Sequence, residues 1–206
     1  MGECQAYNKI EHAIAFLVKR YLYCVSIAIF FRLRESQLTH RNFLCGYPKK
    51  RSCMNLNKKI ILATDHRGFA LKEYLKTVQS VPAHDKSLLV SWIDVGAFEP
   101  ERSDYPVFAH AAVQRMHQES VDGAILLCGS GNGMAIAANR FKGIFACVAW
   151  NSQLARQAKE DDNCNMLVIP ADVVNQEEML EIISSWLDAH FKGGRYAQRL
   201  ALIDHV

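Results

Sequence analysis

The chain has 206 residues, half of them hydrophobic and 22% charged, with a formal net charge of +3, an ordinary composition for a globular protein. Residues 1–53 hold nine Lys/Arg against three Asp/Glu, so the remainder, with 15 against 18, is slightly acidic and lacks the basic excess that would point to nucleic acid. Seven scattered cysteines with no Cys-x-x-Cys pair argue against a disulfide framework or zinc knuckle and point to a reducing, cytoplasmic compartment.

Residues 1–53 differ in composition from the rest. Tyr21–Phe31 is an eleven-residue apolar run flanked by Lys19-Arg20 and Arg32. It is well short of the roughly 20 residues a membrane-spanning helix needs, and it lies too far from the start for a signal peptide. A basic amphipathic surface helix is one reading, but membrane contact is not expected. Met54 stands directly before the first convincing strand, and a start there would leave 153 residues. Residues 1–53 are therefore expected to be an extension outside the main domain, either poorly ordered or an over-extended start, with 54–206 as the functional domain.

From Lys59 the chain alternates between short apolar runs and helical patterns. Strands are expected at Lys59–Thr64, Val90–Val95, Ala124–Cys128, Ile144–Trp150 and Met166–Pro170. Helices are expected at Gly68–Val78, Tyr105–Gln118, Gly133–Arg140, Ser152–Lys159 and about Gln176–His190. Five short strands alternating with helices imply a three-layer α/β/α, doubly wound, Rossmann-like fold with a five-stranded parallel sheet. Gly193-Gly194 breaks the last long helix. A short final helix would carry Arg195, Arg199 and Leu202 on one side.

The chemistry gathers at strand ends. Cys128 closes the apolar run Ala124–Leu127 and opens the loop Gly129-Ser130-Gly131-Asn132-Gly133. A thiol there stands at the carboxyl edge of the sheet, where ligands bind in doubly wound folds. It is also next to a helix N-terminus, which favours anions and can lower a thiol's pKa. The first strand leads into Asp65-His66-Arg67-Gly68, and the second into Asp94-Val95-Gly96 and then Arg102–Pro106. Asp65, His66, Asp104, Tyr105 and Cys128 are thus candidates for one crevice. Simpler readings exist: a buried structural cysteine, and Asp65 and Asp104 as helix caps. Other phosphate devices are absent. A cysteine phosphatase needs Arg after five intervening residues, and the residue there is Met134. The glycine loop does not end in Gly-Lys-Ser/Thr, and no dinucleotide fingerprint follows the first strand. No metal-ligand spacing is evident.

These motifs together resemble the ribose-5-phosphate isomerase B and galactose-6-phosphate isomerase family, over about Lys58–Val206. The resemblance is carried by Thr64–Phe69, Glu101–Pro106, Leu127–Gly133, Ile136–Arg140 and Gly193–Arg199. It implies a cofactor-free and metal-independent aldose–ketose isomerase of a sugar phosphate, most simply ribose 5-phosphate. Cys128 would be the base that moves a proton between C1 and C2, and the N–H groups of Gly129, Ser130, Gly131, Asn132 and Gly133 would hold the enediolate. Asp65, His66 and Tyr105 would contact the sugar, while Arg195 and Arg199 would bind phosphate. A homodimer, or a dimer of dimers, would complete the site.

Two departures from the family pattern stand out. Where relatives carry His-Asn before the fifth strand, with the histidine opening the furanose ring, this chain has Asp161-Asp162, and it has no histidine between His117 and His190. Asp161 becomes the candidate ring-opening acid and Asp162 a candidate sugar contact. An arginine of the phosphate site after the fifth strand is replaced by Asp172. The alternatives are a tetrose 4-phosphate, which cannot close a furanose ring, a hexose 6-phosphate, or a non-catalytic phosphosugar-binding role.

Overall fold

A computed structural model describes residues 57–84 and 86–203; the expectations for residues 1–53 lie outside it. The sheet has six strands in the order β2-β3-β1-β4-β6-β5. They are β1 (Asn57–Thr64), β2 (Ser80–Ala83), β3 (Lys86–Asp94), β4 (Gly123–Cys128), β5 (Ala146–Val148) and β6 (Met166–Pro170). The helices are α1 (Phe69–Thr77), α2 (Tyr105–Gln118), α3 (Asn132–Ala138), α4 (Ser152–Asp162), α5 (Gln176–Asp188) and α6 (Arg195–Ile203). Among the described residues, no helix is long and apolar enough to cross a membrane.

The three-layer class is as expected, and the strand count is the correction. β2 pairs antiparallel with β3, from Ser80 with Leu89 to Ala83 with Lys86. This hairpin also starts β3 four residues before Val90. Pro82 and the polar stretch around it hid the hairpin, since a proline within a run argues against a strand unless it lies on an edge. β5 is shorter than expected, and α4 runs three residues further, to Asp162.

The continuous apolar runs have a physical reason. β1, β4 and β6 are buried on both faces, so both side-chain sets must be apolar. Ile60, Leu62, Ile125, Leu127, Leu167 and Ile169 pack with Leu75 of α1, Ala155 and Ala158 of α4, and Met179, Ile182, Ile183 and Trp186 of α5. Ile61, Ala63, Ala124, Leu126, Met166 and Val168 pack with Ala109, Ala112 and Val113 of α2 and with Met134 and Ala138 of α3. Alternate residues of each strand thus serve opposite layers.

The register aligns the ends that matter. Thr64 lies beside Leu127, and Cys128 beside Pro170. The turns after β1, β4 and β6 therefore meet at one edge. Gly68 lets the first of them seat directly on β4: a Cβ there would lie 2.4 Å from Thr64 Oγ1 and 2.6 Å from Leu127 Cβ. Asn139 fixes the other side, donating to the Ala146 carbonyl and accepting from its N–H, both at 2.8 Å.

Candidate active site

Cys128 sits at the last position of β4 with 5% of its surface exposed. The chain must turn sharply from strand to helix here, and Gly131 does so at a φ of +79°, a conformation glycine adopts without steric cost. The Gly131 N–H donates to Cys128 Sγ at 3.2 Å. The Ala171 N–H donates to the Cys128 carbonyl at 2.8 Å and the Asp172 N–H to that of Gly129 at 3.1 Å, tying the loop to the end of β6. Ser130 and Asn132 are exposed, while Gly129 and Gly131 are buried.

The expected lowering of the thiol pKa is not what the environment produces. Burial pushes the Cys128 thiol up, and the N–H groups of Gly131 and Met134 offset this only in part; the Asp65 carboxylate adds to the rise and the Arg67 guanidinium works against it. Removing a thiolate from water outweighs a short helix's amide field when the sulfur is nearly enclosed.

The turn after β1 supplies the neighbours. Asp65 is buried, and its Oδ1 accepts from the Arg67 N–H at 2.9 Å. It therefore caps the 3₁₀ turn His66–Gly68 while lying within electrostatic range of the thiol. Ser103 fixes His66: its Oγ accepts from the His66 N–H at 3.2 Å, and the His66 Nδ1 lies 3.2 Å from the Ser103 carbonyl and 3.3 Å from its N–H. Two side chains rest on the glycine loop itself. The Tyr105 ring lies where a Cβ on Gly133 would be, 2.6 Å from its Cζ, and the Arg67 guanidinium lies over Gly129 at 2.7 Å on the same measure. Arg67 also pairs with Asp172 across the loop. Asp104 starts α2 without a side-chain cap bond and is exposed.

The structure brings Asp65, His66, Tyr105, Cys128 and the Gly129–Gly133 loop together. It places Asp161, Asp162, Arg195 and Arg199 elsewhere. α4 runs back to the amino edge of the sheet, where the Asn165 carbonyl accepts from the Ala124 N–H at 3.0 Å. Four residues of strand separate Ala124 from Cys128, about 13 Å at the usual rise of roughly 3.3 Å per residue. Asp161 there accepts from Lys192 Nζ at 2.8 Å, and Glu160 lies 2.9 Å from the same ammonium; Asp161 first and Glu160 second raise the Lys192 pKa. On α6, Arg195 donates to the Tyr196 hydroxyl at 3.1 Å and lies within electrostatic range of Asp161. Arg199 stacks on the Tyr196 ring at 5.8 Å. No residue of α6 is buried.

Arg67 and Ser103 also line this edge, within the motifs Thr64–Phe69 and Glu101–Pro106, with no sequence signal to single them out. The missing information was which side chain lies on which glycine. Among the described residues, no three His, Cys, Asp or Glu side chains gather as a metal-binding group.

Fold and site geometry define a class: a doubly wound α/β protein whose carboxyl-edge crevice holds a thiol among backbone N–H donors. The sequence profile of the ribose/galactose isomerase family matches residues 60–203, and the chain belongs to that family. Ribose-5-phosphate isomerase B of Escherichia coli is 38% identical over 149 residues, covering 72% of this chain and 96% of its own length. A D-erythrulose-4-phosphate isomerase 2 of Mycolicibacterium smegmatis is 32% identical over 133 residues, covering 65% and 86%. The crystal structure of a ribose 5-phosphate isomerase from Thermotoga maritima superposes with a TM-score of 0.65 at 37% identity, over 72% of this chain and 99% of that one. The chain is accordingly an enzyme, a sugar-phosphate aldose–ketose isomerase.

Proposed function

We propose that this enzyme interconverts ribose 5-phosphate and ribulose 5-phosphate, with Cys128 as the base. The observation that carries the reading is the Cys128 thiol at the end of β4 with the Gly131 N–H 3.2 Å from its sulfur. The thiolate takes the C2 proton of the open-chain aldose. The C2–H electron pair forms the C1–C2 double bond, and the carbonyl pair moves onto O1. The thiol then returns the proton to C1 while the O2 proton passes to O1 and C2 becomes the carbonyl, so nothing is gained or lost overall. N–H groups of Gly129, Ser130, Gly131, Asn132 and Gly133 hold the developing oxyanion; such a pre-oriented donor is typically worth about 10²–10³ in rate. Asp65, His66 and Tyr105 contact the sugar. No cofactor or metal takes part in this scheme. Residues 54–206 form the isomerase domain, and free thiols at Cys128, Cys147 and Cys164 suit a cytoplasmic setting.

The distance between the two residue groups supports a homodimer. Asp161 and Asp162 end α4 at the edge of the sheet opposite Cys128, and Arg195 lies within electrostatic range of Asp161, so in this reading a second copy supplies the phosphate and ring-opening groups. On the same α6, Leu202 and Ile203 stand 69% and 60% exposed, apolar surface for that copy to cover. A two-fold contact would place both groups twice. Mixing and reassembling the Cys128→Ala and Arg199→Ala full-length chains should therefore restore about a quarter of wild-type activity, since half the dimers are hybrids with one intact site. No recovery on mixing would place both residues in one chain's site.

A second reading, a tetrose 4-phosphate as substrate, is favoured by the missing ring-opening histidine and by the named activity of the M. smegmatis relative. The test is turnover of ribose 5-phosphate and erythrulose 4-phosphate side by side. Cys128-dependent turnover of the pentose carries the first reading, and turnover of the tetrose alone carries the second. An unchanged pentose rate in Asp161→Ala removes Asp161 as the ring-opening acid. Tight binding without turnover leaves a phosphosugar-binding role.

A further inference from the structure

Of the side chains around the thiol, Arg67 is the one that the site assigned above leaves without a task. Its guanidinium lies flat on Gly129, with Cζ, Nε and Nη1 all within 2.8 Å of where a Cβ would stand. Only a glycine at 129 leaves room for it. Among the described residues, its side chain bonds to Asp172 alone, so most of its five donors remain unused. The side chain is 54% exposed, and its guanidinium lies within electrostatic range of the buried thiol. Asp172 is held by its own N–H on the Gly129 carbonyl, so the ion pair spans the loop from both ends.

We propose that Arg67 is a catalytic residue that contacts the oxygen becoming negative in the enediolate, and that Asp172 positions it over Gly129. This rests on the isomerase reading above. In this reading the cation, lying over the loop that begins next to Cys128, meets the reacting end of the sugar, while the phosphate falls to α6 of the second copy. Arginine suits the task because its charge is permanent and its donors are planar and paired, matching the two adjacent oxygens of an enediolate. The charged groups within electrostatic range of Cys128 are Asp65 and Arg67 from the turn after β1; nearby, His66 is held by Ser103, Tyr105 of α2 lies on Gly133, and Asp172 after β6 pairs with Arg67. Of these, Arg67 is the permanent cation, and it works against the rise in the thiol pKa. Asp172 partly neutralises it.

Opposite shifts should follow. In the full-length protein, the pH dependence of iodoacetamide labelling, read on the Cys128 peptide by mass spectrometry, should move to higher pH in Arg67→Ala by roughly half a pH unit or more. In Asp172→Asn it should move to lower pH. Isomerisation should fall about 10- to 100-fold in kcat for Arg67→Ala, the range of a lost hydrogen bond to a charged group, with a smaller change in KM. Arg67→Lys should recover the labelling profile but only part of kcat, because it restores the charge without the fork. An unchanged kcat in Arg67→Ala overturns the proposal. So does an unchanged labelling profile in both variants, or a loss in KM alone, which would move Arg67 to substrate binding. If the wild-type protein turns over neither sugar phosphate, the isomerase reading fails; the labelling profiles then still decide whether Arg67 acts on the thiol.

Discussion

Replacing Cys128 with alanine is expected to lower kcat/KM for the sugar phosphate by roughly 10²–10⁴-fold, the contribution of a general base. The fold should survive. The side chain lost is small, and the loop is held by backbone bonds that alanine keeps: Ala171 N–H to the Cys128 carbonyl at 2.8 Å and Asp172 N–H to the Gly129 carbonyl at 3.1 Å. The melting temperature should shift by no more than about 4 °C. Serine should rescue little, because a hydroxyl is a far weaker acid than a thiol and the burial that raises the Cys128 pKa would act on it as well. A Cys128→Ala enzyme keeping more than about a tenth of wild-type activity would be incompatible with the base assignment.

The largest stability effect is expected at Lys72. Its side chain is fully buried, with Nζ 2.5 Å from Asp94 Oδ2 and 2.7 Å from Glu73 Oε1, and it faces the Phe69 and Phe98 rings at 5.5 and 5.8 Å. Asp94 in turn accepts from the Gly96 N–H at 3.0 Å, and Gly96 accepts from the Thr64 N–H at 2.7 Å, one residue before Asp65. Lys72→Ala should destabilise the protein by about 3–5 kcal/mol, because it strands a partly buried carboxylate. The double replacement Lys72→Met with Asp94→Asn should cost much less, since no charge is left unpaired. Urea unfolding of the three proteins measures this, and a loss below about 1 kcal/mol in Lys72→Ala would show that Lys76, 3.0 Å from Asp94, suffices on its own.

The pH dependence has a definite sign. Burial alone would raise the Asp94 carboxyl, but Lys72, the Gly96 N–H and Lys76 more than offset it and hold its pKa below the ordinary value. A carboxylate lowered by folding contributes stability at all pH values above its unfolded pKa of about 3.9, and the contribution is lost as pH falls through the lower folded value. Acid unfolding of the wild-type protein should steepen below about pH 4, and Lys72→Ala should show a weaker rise there, since only the Gly96 N–H and Lys76 remain on Asp94.

The sequence exposed most of the parallel sheet because buried strands must be apolar on both faces. It exposed the thiol crevice because glycines and polar residues cluster where those strands end. It did not reveal β2, whose pairing depends on β3 rather than on its own composition. Nor did it reveal that burial wins over the helix field at Cys128, since the degree of enclosure is a property of packing. Asp161 illustrates the limit from the other side: its position in the motif order is legible, but the direction in which α4 runs is what carries it to the opposite edge from Cys128. Arg67 lies inside a recognised motif, and only three-dimensional contact with Gly129 distinguishes it from a solvated arginine.

The two ends of the sheet order are short strands, β2 with four residues and β5 with three. Proline occupies position 82, which removes a donor from the outer strand, and the Ser184 hydroxyl of α5 takes the Pro82 carbonyl. An exposed sheet edge is an open template for joining any other chain. Here one edge is blunted and the other is almost too short to recruit a partner. The short, blunted edges thus give strand-to-strand growth between copies little to build on. At high concentration, such edges resist the open-ended stacking that leads to aggregation.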